Sequence, residues 1–212
     1  LKKTIGAAAV TAGAGALLLP LIGPFAAPAS AAPATVSWDD GSSHYDRTIS
    51  DTTPAIGDTI TVTTQFQRKD IDEYIYKIKD ISDQCLDYVA GSAKWEGGAI
   101  SAVNTSKPGE VLVSSPDSIS WRVATAGLVW NWGAKRSFSL QYKVTPECSG
   151  KSVVTTMHYG GSRGDGTYQG KGPTITVAKI VKANSSTSVS VNPSPRANVA
   201  STVTARVSAT GK

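Results

Sequence analysis

The sequence predicts an all-β protein built as an antiparallel sandwich. After residue 31 the chain is dominated by Thr, Ser, Val and Gly, with aromatics interspersed, a composition that favours pleated, half-buried surfaces. Short alternating runs bounded by turn residues recur about every ten to fifteen residues, the rhythm of a sandwich rather than of alternating strands and helices. No segment carries the apolar period of a long helix.

Taken in order, residues 34–38 and 45–50 are modest strand candidates, and the turn Ile56-Gly57-Asp58 launches the clearest strand, 59–67. There Ile60, Val62, Thr64 and Phe66 point one way while Thr59, Thr61, Thr63 and Gln65 point the other, as one buried and one wet face require. Segment 71–81 alternates Ile71, Glu73, Ile75, Lys77, Lys79 and Ile81 against Asp72, Tyr74, Tyr76, Ile78 and Asp80, and is clearly two-faced only in its middle. Residues 85–89, the Trp95 region before the Gly97-Gly98 turn, 111–113, 119–123, 138–144, 153–159 and 174–181 complete about ten strands. Between the last two, 160–172 carries six glycines and reads as a mobile, exposed hairpin loop.

Residues 1–31 read as a secretion signal. Lys2 and Lys3 precede a small-and-apolar run from Ile5 to Phe25, and Ala29-Ser30-Ala31 offers small residues at the −3 and −1 positions for cleavage after Ala31. Pro20 and Pro24 and the abundance of Gly and Ala favour processing over a retained membrane span. The organisation predicted is therefore a signal peptide at 1–31, one sandwich domain at 34–182, and a linker with the first strands of a second unit at 183–212. In that tail Val189 and Val191 begin an alternating run, Pro193 and Pro195 mark a turn, and 199–207 returns; two strands alone cannot bury a core.

Export sets the chemistry expected downstream. In an oxidising compartment Cys85 and Cys148 form a disulfide, and a lone pair this far apart lacks zinc-site spacing. Losing Lys2 and Lys3 leaves 19 basic against 16 acidic residues, scattered singly rather than clustered, which excludes nucleic acid as a partner.

Catalysis finds little support. His44 and His158 are the only imidazoles and neither lies in a nucleophile motif. Carboxylates at Asp39, Asp40, Asp70, Asp72 and Glu73 are weighed as a glycosidase pair or as calcium ligands and read instead as solvated turns. The expectation is no enzyme, no cofactor and no metal. For ligand binding, Trp130 and Trp132 flank Asn131 and project together if extended, so they are either a sugar-stacking pair or core residues beside Trp121. Arg163-Gly164-Asp165 is a candidate cell-attachment tripeptide in the glycine-rich loop, and Asn104 and Asn184 head glycosylation sequons that matter only in a eukaryotic secretory route.

Several landmarks occur in order: Ile56-Gly57-Asp58-Thr59-Ile60-Thr61-Val62, then Asp87-Tyr88-Val89-Ala90-Gly91-Ser92-Ala93, then Ile119-Ser120-Trp121 before Gly133-Ala134, and the strand 138–145. Across roughly residues 45 to 162 this resembles the conserved-repeat domain of bacterial surface proteins, an Ig-like sandwich family of undefined function. That family's Asp-x-Leu-Pro-x-Gly turn stands here as Asp80-Ile81-Ser82-Asp83-Gln84-Cys85, without proline or glycine. Residues 187–195 resemble the first strand and turn of bacterial Ig-like repeat domains. The resemblance implies a non-catalytic module, secreted or cell-wall associated, in a longer multi-domain chain. Its expected role is structural, as a spacer, or adhesive, with wall or host glycans or surface proteins as partners; the alternative is a carbohydrate-binding module using Trp130 and Trp132.

Overall fold

The structure, a computed structural model, describes residues 33–127, 131–181, 184–192 and 202–210. The predicted signal peptide lies outside them, as does Trp130.

In chain order the strands are β1 (Ala34–Asp40), β2 (Ser43–Ile49), β3 (Thr59–Arg68), β4 (Glu73–Ile81), β5 (Leu86–Tyr88), β6 (Lys94–Trp95), β7 (Gly98–Ala99), β8 (Val103–Asn104) and β9 (Glu110–Ser114). They continue with β10 (Arg122–Val123), β11 (Arg136–Val144), β12 (Ser152–Val154), β13 (Thr156–Gly161), β14 (Gly164–Tyr168), β15 (Thr174–Thr176), β16 (Asn184–Asn192) and β17 (Thr202–Thr210). One seven-stranded sheet runs β1-β2-β3-β11-β6-β7 with β5 also on β11, and a six-stranded sheet runs β14-β13-β4-β9-β8 with β10 also on β4. Strands β12 and β15 pair with each other, and so do β16 and β17.

The neighbours β2-β3-β11 and β14-β13-β4 reproduce the A-B-E and G-F-C pairings of the Ig sandwich. All of these pairings are antiparallel. The stretch between β4 and β11 is elaborated, adding β5 to β7 beside β11 and β8 and β9 beside β4, while β1 adds an extra strand outside β2.

Strand β3 buries Ile60, Val62, Thr64, Phe66 and Arg68, the face its sequence alternation predicts. Phe138, Leu140, Tyr142 and Val144 of β11 bury the matching face, and Ile75, Ile78, Val111, Val113 and Met157 close the core from the other sheet. Each such apolar side chain contributes about 1.5–3 kcal/mol by leaving water.

The expected strands 119–123 and 174–181 are shortened to β10 and β15, and three further segments depart from the expected pattern. In β4, Glu73 and Ile75 are buried but the next inward residues are Ile78 and Asp80. The register explains it: Gly160 faces Lys77 and Gly161 faces Ile75, so Tyr76 is an extra residue, a β-bulge that inverts the parity of everything after it. Residues 153–159 do not form one strand, because Thr155 breaks them into β12 and β13, which belong to different sheets. The region 160–172 is not a long loop. Gly161 pairs with Gly164 across a two-residue turn and the chain returns at once as β14.

Glycine is required in that hairpin at Gly166, where an added Cβ would lie 2.2 Å from the Tyr159 ring. Substituting Gly166→Ala is expected to cost about 1–3 kcal/mol through overpacking, measured as a lowered urea midpoint with an unchanged m-value.

The sandwich has two distinguishable poles. At one, Cys85 and Cys148 form a disulfide with Cα atoms 5.0 Å apart, beside the pair Leu86↔Val144 and the start of β3, where Thr59 faces Lys143. At the opposite, distal pole lie the end of β3, the 69–72 loop and the turn between β13 and β14, where Ser162 N–H donates to Tyr74 O.

The first strand of the sandwich, β1, and the chain leaving β15 both sit toward the disulfide pole. Ala34 pairs with Ile49, Thr176 N–H donates to Thr52 O, and Ile49 and Thr52 are separated by at most about 11 Å of extended chain. Val177 N–H then donates to Lys151 O, and Ile180 N–H to Ser149 Oγ, carrying the chain out past Cys148.

Candidate functional site

Two buried polar clusters lie inside the sandwich. The first joins the sheets. Arg47 of β2 and Asp80 of β4 are both fully buried and pair at 2.7 Å between Nη2 and Oδ2. Arg47 also donates through Nη1 to Thr64 Oγ1 at 2.8 Å and through Nη2 to Thr155 Oγ1 at 2.7 Å, while the Tyr142 hydroxyl donates to Asp80 Oδ1 at 2.8 Å. With Nε also donating to Thr155 Oγ1, each nitrogen of Arg47 and each carboxylate oxygen of Asp80 has a partner, the condition under which a buried ion pair persists. In an antibody domain the inter-sheet link is a disulfide between B and F. Here an ion pair joins the sheets, and the disulfide staples the start of β5 to the turn after β11.

The second cluster lies toward the distal pole. Arg68 donates to Ser43 Oγ, and its Nη1 lies 3.2 Å from Glu73 Oε2. Glu73 Oε2 also meets the Tyr159 hydroxyl at 3.4 Å. From there Tyr159 contacts Tyr45 at 2.9 Å, Tyr45 contacts Tyr168 at 2.9 Å, and Tyr168 reaches Asp40 Oδ2 at 3.0 Å. Three hydroxyls therefore link an exposed carboxylate to one sealed in the core. Burial pushes the Glu73 carboxyl up from the ordinary glutamate range, against the opposing pull of Arg68, and burial likewise raises Tyr45, Tyr159 and Tyr168. Trp38 stacks on Tyr45 with ring centroids 5.1 Å apart.

The acidic residues singled out in the sequence have separate partners. Asp39 Oδ1 lies 2.5 Å from His44 Nδ1, Asp40 meets Tyr168, and Asp70 accepts from Ser42 Oγ. Asp72 accepts from Thr125 N–H, which holds its carboxyl below the usual range, and pairs with Arg122. Among the described residues no group of three or more His, Cys, Asp or Glu converges as metal ligands would. His158 is half-buried in β13, its Nε2 3.4 Å from Gln169 Nε2.

Trp132 is half-buried, 5.4 Å from His44 between ring centroids, with Lys69 Nζ 4.8 Å from its ring centroid. It is not beside Trp121, which stacks on Trp95 at 5.1 Å. That second indole pair lines a groove of about 260 Å³ with Ile100, Ser101, Ser114 and Ser120. Among the described residues no charged side chain lines the groove. The sequence signal for it was weak, since Trp95 and Trp121 lie far apart in the chain and are brought together by β6 and the segment before β10.

Arg163 sits in the β13–β14 turn with its Nε 3.3 Å from Asp72 O. Gly164 has φ 122°, a backbone that favours glycine. Asp165 faces Gly160 across the hairpin, on the side where Lys77 folds over the bare Cα of that glycine.

No family model matches the chain, and no curated protein matches it. Among solved structures the chain is similar to a protein from Corynebacterium diphtheriae described as membrane anchored, with TM-score 0.48 and 11% identity over 69% of this chain and 38% of that one. It is also similar to a DUF4466 family protein from Parabacteroides merdae, with TM-score 0.37 and 11% identity over 76% of this chain and 49% of the other. A third similarity is to the pilus backbone protein RrgB from Streptococcus pneumoniae, with TM-score 0.33 and 10% identity over 52% and 43%. The chain spans less than half the length of each of these proteins. The architecture described above rests on the strand order and register of the chain itself.

Proposed function

We propose that this chain is a non-catalytic module worn outside a bacterial cell, which displays the distal pole of a rigid sandwich to the surroundings. The observation that carries this reading is that the domain's two ends lie toward one pole: Ala34 pairs beside Ile49, and the exit after Thr176 is bonded to Thr52. A module strung in line as a spacer needs its ends at opposite poles. With the predicted signal peptide removed after Ala31, the chain is held only through its exit at the disulfide pole, so the opposite pole stands out from the attachment and display and adhesion fit better than spacing. The braces described above support the stiffness such a role needs.

Whole cells producing the chain, treated with a membrane-impermeant amine reagent, test this. Lys135, near the distal pole and 49% exposed, is expected to react on cells as it does in purified protein. Lys143, Lys151 and Lys179, toward the disulfide pole, are expected to be shielded on cells by several-fold. Equal cell-to-purified ratios at all four lysines contradict the reading.

A second reading, binding of an uncharged saccharide, is favoured by the groove that pairs an indole stack with three serine hydroxyls and no charge. Titration with cellohexaose, maltohexaose and chitohexaose, followed by indole fluorescence, tests it. Ala102→Trp, which fills the groove, should abolish the response while Trp132→Ala leaves it intact. The absence of a saturable response to any of the three removes this reading.

A further inference from the structure

The row of hydroxyls between Asp40 and Glu73 poses a question of proton number. It contains four contacts: Asp40 to Tyr168, Tyr168 to Tyr45, Tyr45 to Tyr159, and Tyr159 to Glu73. Each needs one hydrogen. Three phenols supply three, because a tyrosine hydroxyl donates once and an ionised carboxylate only accepts. Ser43 beside Tyr45 does not alter the count, since its hydrogen serves a contact outside the row. The fourth hydrogen must come from a carboxylic acid at one end.

Asp40 is exposed, where water stabilises its charge. Glu73 is 2% exposed, where an ionised carboxylate is costly. We propose that Glu73 holds this fourth proton, and that its loss opens the seam between the β1–β2 hairpin and the β13–β14 hairpin. With Glu73 protonated, the chain of donation runs unbroken from its carboxyl through Tyr159, Tyr45 and Tyr168 to Asp40. With Glu73 ionised, the three hydroxyls turn toward it, and the contact left without a hydrogen is the one between Tyr168 of β14 and Asp40 of β1, at the exposed end of the row.

The surroundings of Glu73 permit both states. Arg68 of β3 faces Oε2 and favours the charge. The backbone of Arg163 in the β13–β14 turn and its guanidinium act in the same direction, but no donor completes a hydrogen bond on the buried Oε1. From β13 come Tyr159 and Gly161, the latter so close that an added Cβ would stand 2.6 Å from Oε1. Ser43 and Tyr45 of β2 lie beyond, then Tyr168 of β14 and Asp40 of β1. Asp72, the next residue along, is occupied by Arg122 and Thr125. Burial outweighs the cations, and the carboxyl is displaced upward.

The sign follows. A carboxyl raised in the folded state contributes stability that is fully present below its unfolded pKa and lost as pH rises through its folded pKa. The seam is therefore tighter below the raised folded-state pKa of Glu73 and looser above it, a response to external pH in a module predicted to work outside the cytoplasm. Its loosening bears on the distal pole, because β13 and β14 meet there.

Two measurements on the ¹³C-labelled full chain test this. The Glu73 side-chain carboxyl resonance, assigned by its loss in Glu73→Gln, should titrate above the ordinary glutamate value of 4.5. Amide exchange in β14, corrected for intrinsic rates, should lose protection by about ten-fold as pH rises through that midpoint. Glu73→Gln, whose amide donates to Tyr159 at every pH, should hold its protection flat. Tyr45→Phe, which interrupts the row without emptying the core, should show low protection and no pH response. A Glu73 midpoint at or below the ordinary value, or a β14 response that persists in either variant, overturns the proposal.

Discussion

Asp80→Ala is expected to destabilise the domain by about 3–5 kcal/mol, the cost of leaving a buried charge without its counter-ion. Arg47 is 0% exposed, and its remaining contacts, Thr64 and Thr155, are neutral hydroxyls that cannot balance a guanidinium. In a domain whose whole stability is of the order of 5–15 kcal/mol, such a loss lowers the melting temperature by about 10 °C or more. Arg47→Met combined with Asp80→Leu should recover most of it, because the pair is removed together and the volume kept. Thermal and urea melts of the two single variants and the double variant form the cycle that checks this. A double variant as unstable as the singles would mean that the pair fixes the packing of the sheets as well as neutralising charge.

Removing the disulfide is the second large effect. Cys85 and Cys148 are 63 residues apart, and opening a loop of that length costs about 4 kcal/mol through the gained freedom of the unfolded chain. Replacing both cysteines by serine should lower the denaturation midpoint by a corresponding amount. The native register should survive, because Leu86↔Val144 and Lys143↔Asp87 still pair β5 with β11 and Thr145 N–H still donates to Cys85 O. Reductant should shift the parent protein's melt to that of the double serine variant and leave the variant's own melt unchanged.

Legibility in the sequence followed the range of the interactions involved. The inward face of β3 could be read from Ile60, Val62, Thr64 and Phe66 because burial on one side of a sheet imposes a period of two. The same rule failed in β4, where the bulge at Tyr76 moves Ile78 and Asp80 inward; its cause is Gly160 and Gly161 in a distant strand. Residues 153–159 looked continuous because every one of them tolerates a strand. What divides them is Thr155, turned inward to receive Arg47. The disulfide was legible from compartment and count. The hydroxyl row was not, since its members Tyr45 and Tyr159 are 114 residues apart, and a tyrosine on a strand looks the same whether its hydroxyl meets water or another tyrosine. Sequence alternation drew attention to Trp132, whereas the groove is formed by Trp95 and Trp121, whose proximity depends on how β6 and β10 are brought together.

In the proposed arrangement the chain enters β1 and leaves β15 at one pole of the sandwich and presents the other. Pulsed electron resonance between spin labels carried on unnatural residues at Thr35 and Lys179 measures this directly, with Lys179 and Ser118 as the reference pair across the sandwich. The account predicts a Thr35–Lys179 separation under about 25 Å, well short of the reference, since the path through Ile49 and Thr52 is a few residues long. A Thr35–Lys179 separation above about 35 Å, the length of the longest strand, would place the ends at opposite poles and return the module to the role of an in-line spacer.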